Sequence, residues 1–525
     1  MRTCIVILLL FVLLPANAKD GYPRNKNADI IHYDFFVAIN DSTDRIEGKA
    51  IIEVHFTEAS DSISFDLASV DSTGKGMTVT GLLADTLSVM WKHLDSRLVI
   101  NYPAKTGDTI KYTVLYSGIP SDGLIISNNK FGERVFFSDH WPNRAHCYLP
   151  CIDHPYDKAT VDFHIKAPMK YKIVASGVRV SSDSNDSIKI SHWKESVVLP
   201  VKVMAFAAAP FAVDTSGLVD GITVTSWVFR GNMEQGFKDY SVAVDPLKYY
   251  IARIGEYPFE KLANVQSKTI FGGLENAGNI FYAERSVTGK GRAESLMAHE
   301  IAHQWFGNSV TENDWDHVWL SEGFATYLTS MYFESKNGKE ALKTDLDSTR
   351  ARLIRYYRKN KMPVIDTANT DLMKLLNMNS YQKGAWVLHM LRNLVGDEAF
   401  YRGLRTYYES FRNGNVLTDD FVSVMEEVSG KELNSFFRQW LYTGGHPQLK
   451  IWTKKGFRRK YTINVEQQQE RLFEFELELL VKTSSGEALQ KVHVTNQLTQ
   501  FEIQSKTPPR ITPDPDVKLL FQLVP

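Results

Sequence analysis

Residues 296–327 read LMAHEIAHQWFGNSVTENDWDHVWLSEGFATY, and this stretch decides how the middle of the chain folds. His299 and His303 are four residues apart, so on a helix their side chains lie on one face and can bind a single ion. The segment AESLMAHEIAHQWF contains neither Gly nor Pro and is followed by Gly307 and Asn308. This pattern predicts a helix that carries both histidines and ends at Gly307.

Two glutamates, Glu300 and Glu322, could complete a catalytic metal site with these histidines. Glu300 would lie roughly a third of a turn from His299, close enough to reach a water on the ion without being a ligand. Catalytic zinc is usually held by three protein ligands and keeps one open position. Glu322 begins another predicted helix after eighteen intervening residues, and its neighbours Trp319 and Phe324 predict an interior location. The alternative is a surface glutamate near a helix start, where the helix dipole favours a carboxylate. In the predicted interior location, a carboxylate without a partner would be costly, which favours a role as a metal ligand.

The composition is that of a large globular protein. With 525 residues the chain is long enough for two to four domains. Its 43% hydrophobic and 12% aromatic residues argue against disorder. The 60 Lys+Arg nearly cancel the 61 Asp+Glu, so no overall field favours nucleic acid or an anionic membrane. We therefore expect no nucleic-acid partner, and the oligomeric state cannot be predicted.

The N-terminus has the pattern of a signal peptide over residues 1–18. Arg2 precedes an unbroken apolar run from Ile5 to Leu14, and Ala16-Asn17-Ala18 has the small-x-small pattern of a cleavage site. The run is shorter than the roughly 20 residues of a spanning helix, and no other segment approaches that length. We expect a protein that is exported, either secreted or periplasmic, and does not span a membrane.

Three regions of different pattern follow the signal peptide. Short aromatic and β-branched runs, such as HYDFFVAI and KAIIEVHF, predict an antiparallel β domain over residues 19–221. Helical periods dominate residues 222–445, and strands return over residues 446–525, where FEFELEL alternates apolar and acidic residues. The predicted fold class is therefore multidomain α+β. Cys147 and Cys151 can form a disulfide within a loop or stay as two buried thiols.

Five motifs together resemble one family. His299-Glu300-x-x-His303 with Glu322, together with the segments GGLEN, SYQKGAWVLHML, LPCIDHPYDKATVDF and FFRQWLYTGGHP, is similar to the gluzincin zinc aminopeptidases. These form peptidase family M1, which includes aminopeptidase N, aminopeptidase B and the leukotriene hydrolase. The resemblance runs from about residue 29 to about residue 449. It implies that residues 222–445 form a thermolysin-like, mainly helical catalytic domain between two β domains.

The resemblance also implies a function, namely zinc-dependent removal of the N-terminal residue of peptides. One Zn²⁺ per chain would be held by His299, His303 and Glu322, with Glu300 as general base. Tyr381 would donate a hydrogen bond to the oxyanion. The GGLEN segment would bind the free N-terminus of the peptide substrate, with Glu275 holding its ammonium beside Gly272, Gly273, Leu274 and Asn276. The paired glycines would permit close approach of an extended substrate.

The chain departs from the family pattern in three places. Leu274 replaces the usual Met and Gly273 the common Ala, which affects the first side-chain pocket. The family's amine-binding residue in the N-terminal domain has no clear counterpart, and the segment SDHWPNR around Asp139 is the candidate region. About 80 residues follow Gly445, so we expect the short secreted bacterial type, which lacks the long C-terminal helical domain and has a more open site.

The sequence leaves three other functions open. A thermolysin-type metalloendopeptidase would share the helix-borne zinc site. A catalytically inactive binding or scaffold protein could keep the fold, although none of the motif residues is replaced. An epoxide hydrolase side activity is the third alternative.

Overall fold

The computed structural model describes residues 20–525, so the predicted signal peptide lies outside the described residues. Alternating apolar residues form the strands of the N-terminal region. Its strands are β1 Ala28–Ala38, β2 Ile46–Phe56, β3 Ser60–Asp66, β4 Gly76–Ala84, β5 Leu87–Ser88, β6 Met90–Leu94, β7 Arg97–Ala104, β8 Thr109–Ile119, β9 Leu124–Asn128, β10 Arg134–Ser138, β11 Ala159–Pro168, β12 Lys172–Ala175, β13 Val178–Ser184, β14 Ile188–Leu199 and β15 Phe206–Ala209.

These strands form three sheets. The largest has the order β13-β14-β11-β1-β2-β8-β4-β5, and its pairs are antiparallel except for the parallel pair β1 and β11. The two smaller sheets have the orders β12-β15-β10-β9 and β3-β7-β6. In β1, Tyr33, Phe35 and Val37 are fully buried, whereas His32 and Asp34 point to the other face and are half-buried. One face of the large sheet thus belongs to the core, and the opposite face is polar.

The middle region combines a mixed sheet with helices. Its strands are β16 Phe211–Val219, β17 Ile222–Phe229, β18 Lys261–Ser267, β19 Gly273–Leu274, β20 Asn279–Ala283, β21 Thr311–Glu312 and β22 Asn415–Val416. Its helices are α1 Met233–Tyr240, α2 Val244–Arg253, α3 Glu294–Ala302, α4 Trp319–Asn337, α5 Lys339–Tyr357, α6 Gly384–Val395, α7 Asp397–Phe411, α8 Thr418–Ser429 and α9 Asn434–Tyr442. The sheet order β16-β17-β18-β20-β19 places the short strand β19 at an edge.

Two details differ from the sequence-based prediction. The predicted boundary at residue 221 falls in the turn of the β16–β17 hairpin, so both strands belong to one sheet. The helix predicted to end at Gly307 ends instead at Ala302. The chain continues from there in tighter turns, in which the amides of Gln304 and Trp305 bond to the carbonyls three residues back. Phe306 then forms a β-bridge with Val310, which the local pattern could not indicate.

The C-terminal region is again β, with two small sheets. Its strands are β23 Gln448–Lys455, β24 Lys460–Gln467, β25 Phe475–Thr483, β26 Gly486–Val494, β27 Leu498–Gln504, β28 Arg510–Pro513 and β29 Gln522–Leu523. The sheet orders are β27-β24-β23-β29 and β26-β25-β28. In β25, Leu477 and Leu479 are buried as the alternation predicts, but Glu478 is buried as well because it is paired with Lys518.

The order of a β domain, a mainly helical domain and a small β domain is the predicted one, so the predicted fold class is confirmed. Cys147 and Cys151 are buried free thiols. Within residues 20–525 no helix has the length and apolarity to cross a bilayer.

Candidate active site

Three side chains converge where α3 meets α4. The Nε2 atoms of His299 and His303 are 3.1 Å apart. The Oε2 atom of Glu322 lies 3.4 Å from Nε2 of His299 and 3.3 Å from Nε2 of His303. The carboxyl group therefore points at both rings, as the predicted convergence requires.

Helix ends and neighbouring side chains position these groups. His299 lies in the last turn of α3, and His303 caps that helix in helical conformation. The Nδ1 atom of His303 lies 3.0 Å from the hydroxyl of Ser321 and 3.3 Å from the carbonyl oxygen of Phe306. A partner at Nδ1 fixes the ring so that Nε2 faces the centre. Sequence reasoning missed Ser321, although it directly precedes Glu322.

The trio fits one zinc ion. With bonds of about 2.1 Å in a tetrahedral arrangement, neighbouring ligand atoms are about 3.4 Å apart, which matches the three separations. Oε2 of Glu322 is buried and accepts no hydrogen bond within the described residues, so a cation would satisfy it. Two imidazoles and a carboxylate form a donor set that zinc prefers. His299, His303 and Glu322 were the predicted ligands.

Charge interactions within the trio are strong. Burial alone would raise the pKa of the Glu322 carboxyl, but the two histidines outweigh this effect and lower it below its usual range. Burial would likewise lower the pKa of His303, but the carboxylate of Glu322 raises it to about 9. A metal ion binds neutral imidazole, so metal and proton compete for His303.

Tyr381 lies beside the trio because two helices approach each other closely. A Cβ on Gly323 of α4 would lie 3.0 Å from the Cα of Gly384, which begins α6. The turn before α6, Asn379–Lys383, is a π-helix, a feature frequent at functional sites. It places the ring of Tyr381 parallel to that of His299, with 5.9 Å between centroids. Burial and the charge of Glu322 raise the pKa of Tyr381 well above its usual range, so it keeps its proton.

Glu275 enters the site from the loop after β19. Its backbone carbonyl accepts hydrogen bonds from Nε2 of Gln304 at 2.9 Å and from Nδ2 of Asn308 at 2.7 Å. Oε1 of Gln304 in turn accepts the amide of Gly278 at 2.9 Å, which holds the loop against the end of α3. Oε1 of Glu275 is buried and has no hydrogen-bond partner among the described residues. A buried, unpaired carboxylate oxygen in a cavity is a binding position for a cation.

One glycine of this loop has a packing role in addition to the role that the sequence indicates. A Cβ on Gly273 would overlap the carboxylate of Glu300, whereas one on Gly272 would only contact Leu296 at 3.6 Å. Gly273 therefore allows β19 to lie directly against Glu300. Burial raises the pKa of Glu300 well above its usual range; the charge of His303 opposes this shift, and the neighbouring carboxylates add to it.

These groups line a cavity of about 230 Å³. Its lining residues are Trp141, Phe271, Gly272, Gly273, Leu274, Glu275, Leu296, His299, Glu300, His303, Glu322, Leu376 and Tyr381. This set includes three carboxylates and, within the described chain, neither Lys nor Arg, so the cavity favours cations. Nine of the ten predicted site residues line it. Asn276 is buried and does not line it; its carbonyl oxygen accepts the amide of Asn279.

The N-terminal domain contributes Trp141 rather than an acid. Trp141 packs edge-on against Phe271 and Trp315, with centroids 6.0 and 5.7 Å apart. Asp139, the acidic candidate of the same segment, is fully buried. It is engaged by Arg144 and by the hydroxyl of Thr269 at 3.0 Å, and it does not line the cavity. The tryptophan therefore makes this wall apolar.

Comparison with known families agrees with this geometry. The model of the peptidase family M1 domain matches residues 241–440, and that of the peptidase M1 N-terminal domain matches residues 30–201. Together they cover more than two thirds of the chain. The chain belongs to peptidase family M1. The resemblance predicted from the five motifs is thereby confirmed.

The relatives are aminopeptidases by name. The chain is 28% identical over 333 residues to Aminopeptidase M1 of Arabidopsis thaliana, covering 60% of this chain and 37% of that protein. It is 28% identical to Probable aminopeptidase 2 of Sulfurisphaera tokodaii, covering 74% of this chain and 50% of that protein. The chain thus spans half or less of the length of these curated relatives.

Two solved structures share the fold. Legionella pneumophila aminopeptidase A, determined in complex with aspartic acid, is 18% identical with a TM-score of 0.83, covering 97% of this chain and 61% of that chain. The M1 zinc metallopeptidase from Deinococcus radiodurans is 25% identical with a TM-score of 0.67, covering 80% of this chain and 95% of that chain. The first likeness extends over the C-terminal β domain.

Proposed function

We propose that this M1 chain is a zinc aminopeptidase, which removes the N-terminal residue from peptides. The observation that carries the proposal is the buried, unpaired Oε1 of Glu275 in the same cavity as the trio of His299, His303 and Glu322. A metal site alone would serve an endopeptidase equally well. A second anionic position beside it suits a substrate whose first residue carries a free ammonium.

The cavity also accounts for how a peptide would lie. β19 is an edge strand, paired on one side with β20 and with no strand on the other among the described residues, so an extended peptide could be added there as a further strand. The peptide's ammonium would bind at Glu275, and its first side chain would contact the apolar wall of Trp141, Phe271 and Leu274. This arrangement selects the first peptide bond for reaction.

The residues divide the chemistry between them. A bound zinc ion supplies a water of lowered pKa and polarises the scissile carbonyl. Glu300, whose buried carboxylate has a raised proton affinity, takes the proton of the attacking water and delivers it to the leaving amine. Tyr381, which stays protonated, donates a hydrogen bond to the carbonyl oxygen as its negative charge develops.

The discriminating experiment compares a short peptide with its N-acetylated form. We expect cleavage of the free peptide and none of the acetylated one, because acetylation removes the charge that Glu275 binds. Glu275→Gln should raise KM for the free peptide about thirty-fold or more, since losing one partner of a buried charge pair costs about 2 kcal/mol or more. Glu340→Gln, at a highly exposed site on α5, is the matched control. Equal cleavage of both peptides would indicate an endopeptidase, and no cleavage of either would indicate an inactive member of the family.

Export is a further part of the proposal and rests on the sequence pattern of residues 1–18. Expression of the full chain in a bacterial host tests it. The mature protein should be found outside the cytoplasm and begin at Lys19. An intact N-terminus on cytoplasmic protein would contradict export without affecting the catalytic proposal.

A further inference from the structure

A second group of metal-ligating side chains lies on the polar face of the large N-terminal sheet. It comprises His32 and Asp34 on β1, Asp162 and His164 on β11, and His192 on β14. In the strand register Asp34 is opposite Asp162, and His164 is opposite His192. We call these five residues the sheet cluster. Because β1, β11 and β14 are adjacent, their side chains on this face are neighbours.

The ligand atoms of this cluster lie close together. Nε2 of His192 is 2.6 Å from Oδ2 of Asp162, and Nε2 of His164 is 3.2 Å from Oδ1 of Asp34. The rings of His164 and His192 are stacked, with 4.0 Å between centroids and 15° between planes. One ligand atom from each of Asp162, His164 and His192 lies within 4.8 Å of the other two. In a tetrahedral zinc site, neighbouring ligand atoms are about 3.4 Å apart. Small side-chain rotations would bring the three ligand atoms to this separation, because the side chains are partly exposed.

Two carboxylate oxygens of the cluster lack a hydrogen bond. Oδ1 of Asp162 is a buried atom with no partner in hydrogen-bond geometry among the described residues. Oδ1 of Asp34 is also buried, and Nε2 of His164 approaches it at 3.2 Å but outside hydrogen-bond geometry. Nε2 of His32, on the neighbouring strand β1, lies 3.9 Å from Oδ1 of Asp162. Buried carboxylate oxygens without donors are costly unless a cation satisfies them.

The charged side chains around the sheet cluster do not neutralise its two carboxylates through ion pairs with Lys or Arg in the described part of the chain, so a small cation could bind there. Glu53, opposite His32 on β2, is paired with Lys111 at 3.3 Å. Lys194 is opposite Asp162 on β14, but its side chain is exposed and forms no ion pair with the described residues. Lys49, opposite Phe36 on β2, adds a positive charge near Asp34. The cluster thus has two carboxylates and three imidazoles facing one another, with no Lys or Arg paired to it among residues 20–525.

We propose that Asp162, His164 and His192 bind a second divalent transition-metal ion, preferentially zinc, with Asp34 close enough to supply a further oxygen. Imidazole and carboxylate together are a donor set for zinc rather than for calcium or magnesium, which prefer oxygen ligands. The ligands come from adjacent strands, so a bound ion would link β11 and β14 and, through Asp34, the parallel strand β1. This site is separate from the trio in the helical domain and does not depend on the proposed peptidase activity.

Zinc content of the full-length protein tests this site. After equilibrium dialysis against zinc we expect two ions per wild-type chain and one in the double variant His164→Asn, His192→Asn. The matched control is His55→Asn, which changes a histidine on β2 of the same sheet outside the cluster, and it should retain two ions. Equal zinc content in the wild type and in the double variant would overturn the proposal and leave the cluster as a network of hydrogen bonds.

A stability measurement provides an independent readout. Added zinc should raise the unfolding temperature of a protein whose helical-domain site is already filled, and the double variant should lose this increase. Peptidase activity should be equal in the double variant and in His55→Asn, which verifies that the double variant folds. An equal rise in the unfolding temperature of the wild type and of the double variant would show that the added zinc binds outside the sheet cluster. If instead the helical-domain trio bound no zinc, the wild type and the double variant would still differ by one ion.

Discussion

Gly273 and Glu300 are packed so closely that no side chain fits between them, because a Cβ on Gly273 would overlap the Glu300 carboxylate. We predict that Gly273→Ala displaces this carboxylate and lowers kcat by about a hundredfold, as expected for a displacement of about 1 Å in a reacting group. Gly272→Ala is the matched control, since its new methyl group would lie 3.6 Å from Leu296. Steady-state kinetics of both variants measure the effect. Equal activity would show that Glu300 is not held by this contact.

Glu300→Gln removes the proton acceptor while keeping the shape of the side chain. We predict a loss in kcat of about a hundredfold to ten-thousandfold, the range typical of a general base, with unchanged zinc content. Glu294→Gln, on the same helix but outside the cavity, should retain activity. Activity within a few fold of the wild type in Glu300→Gln would assign proton transfer to another group.

Tyr381→Phe removes only the phenolic hydroxyl. Because one donor to an oxyanion typically contributes about a hundredfold to a thousandfold in rate, we predict a fall of that size in kcat, while KM and zinc content stay unchanged. Tyr356→Phe on α5, half-buried and away from the cavity, serves as the control. A change in KM alone would mean that Tyr381 binds the ground-state substrate rather than the developing charge.

The sequence alone predicts best those parts of the site that depend on residues close together in the chain. The spacing of His299 and His303 is a property of one helical turn, so the sequence alone predicted their common face. Glu322 required a second helix, and its apolar neighbours indicated the interior. The helix end at Ala302 could not be predicted, because the bridge of Phe306 to Val310 overrides local propensity there.

Contacts between distant segments account for what the sequence could not predict. Trp141 reaches the cavity from the N-terminal domain, and its segment SDHWPNR was predicted only as the candidate region for an amine-binding residue. Gln304 binds the loop of Glu275 through a side-chain amide that no spacing rule identifies. The sequence did not predict the five-stranded sheet. Its central strand, LANVQS in β18, is short and buried on both faces, so it lacks the alternation of apolar and polar residues that indicates a strand.

Buried histidines should make the fold sensitive to acid. Burial lowers the pKa of His140, His317, His389 and His446 from 6.5 to about 4. Between these values the unfolded chain binds more protons than the folded one, so stability is full above 6.5 and falls as the pH drops towards 4. Each histidine lowers the free energy of unfolding by at most about 1.4 kcal/mol per pH unit in this window.

Urea unfolding at pH values across that window measures this dependence. His389→Gln should flatten it, because the variant removes one of the four groups. His493→Gln, an exposed histidine of the C-terminal region, should leave it unchanged. A wild-type midpoint that does not change between pH 6.5 and 4 would contradict the prediction.

Anomalous diffraction at the zinc edge tests the metal centre most directly. Crystals grown with zinc should show a peak bonded to Nε2 of His299, Nε2 of His303 and a carboxylate oxygen of Glu322, at about 2.0–2.2 Å from each. A structure with no peak between these three side chains, or with the Glu322 carboxyl turned away from both rings, would contradict the account.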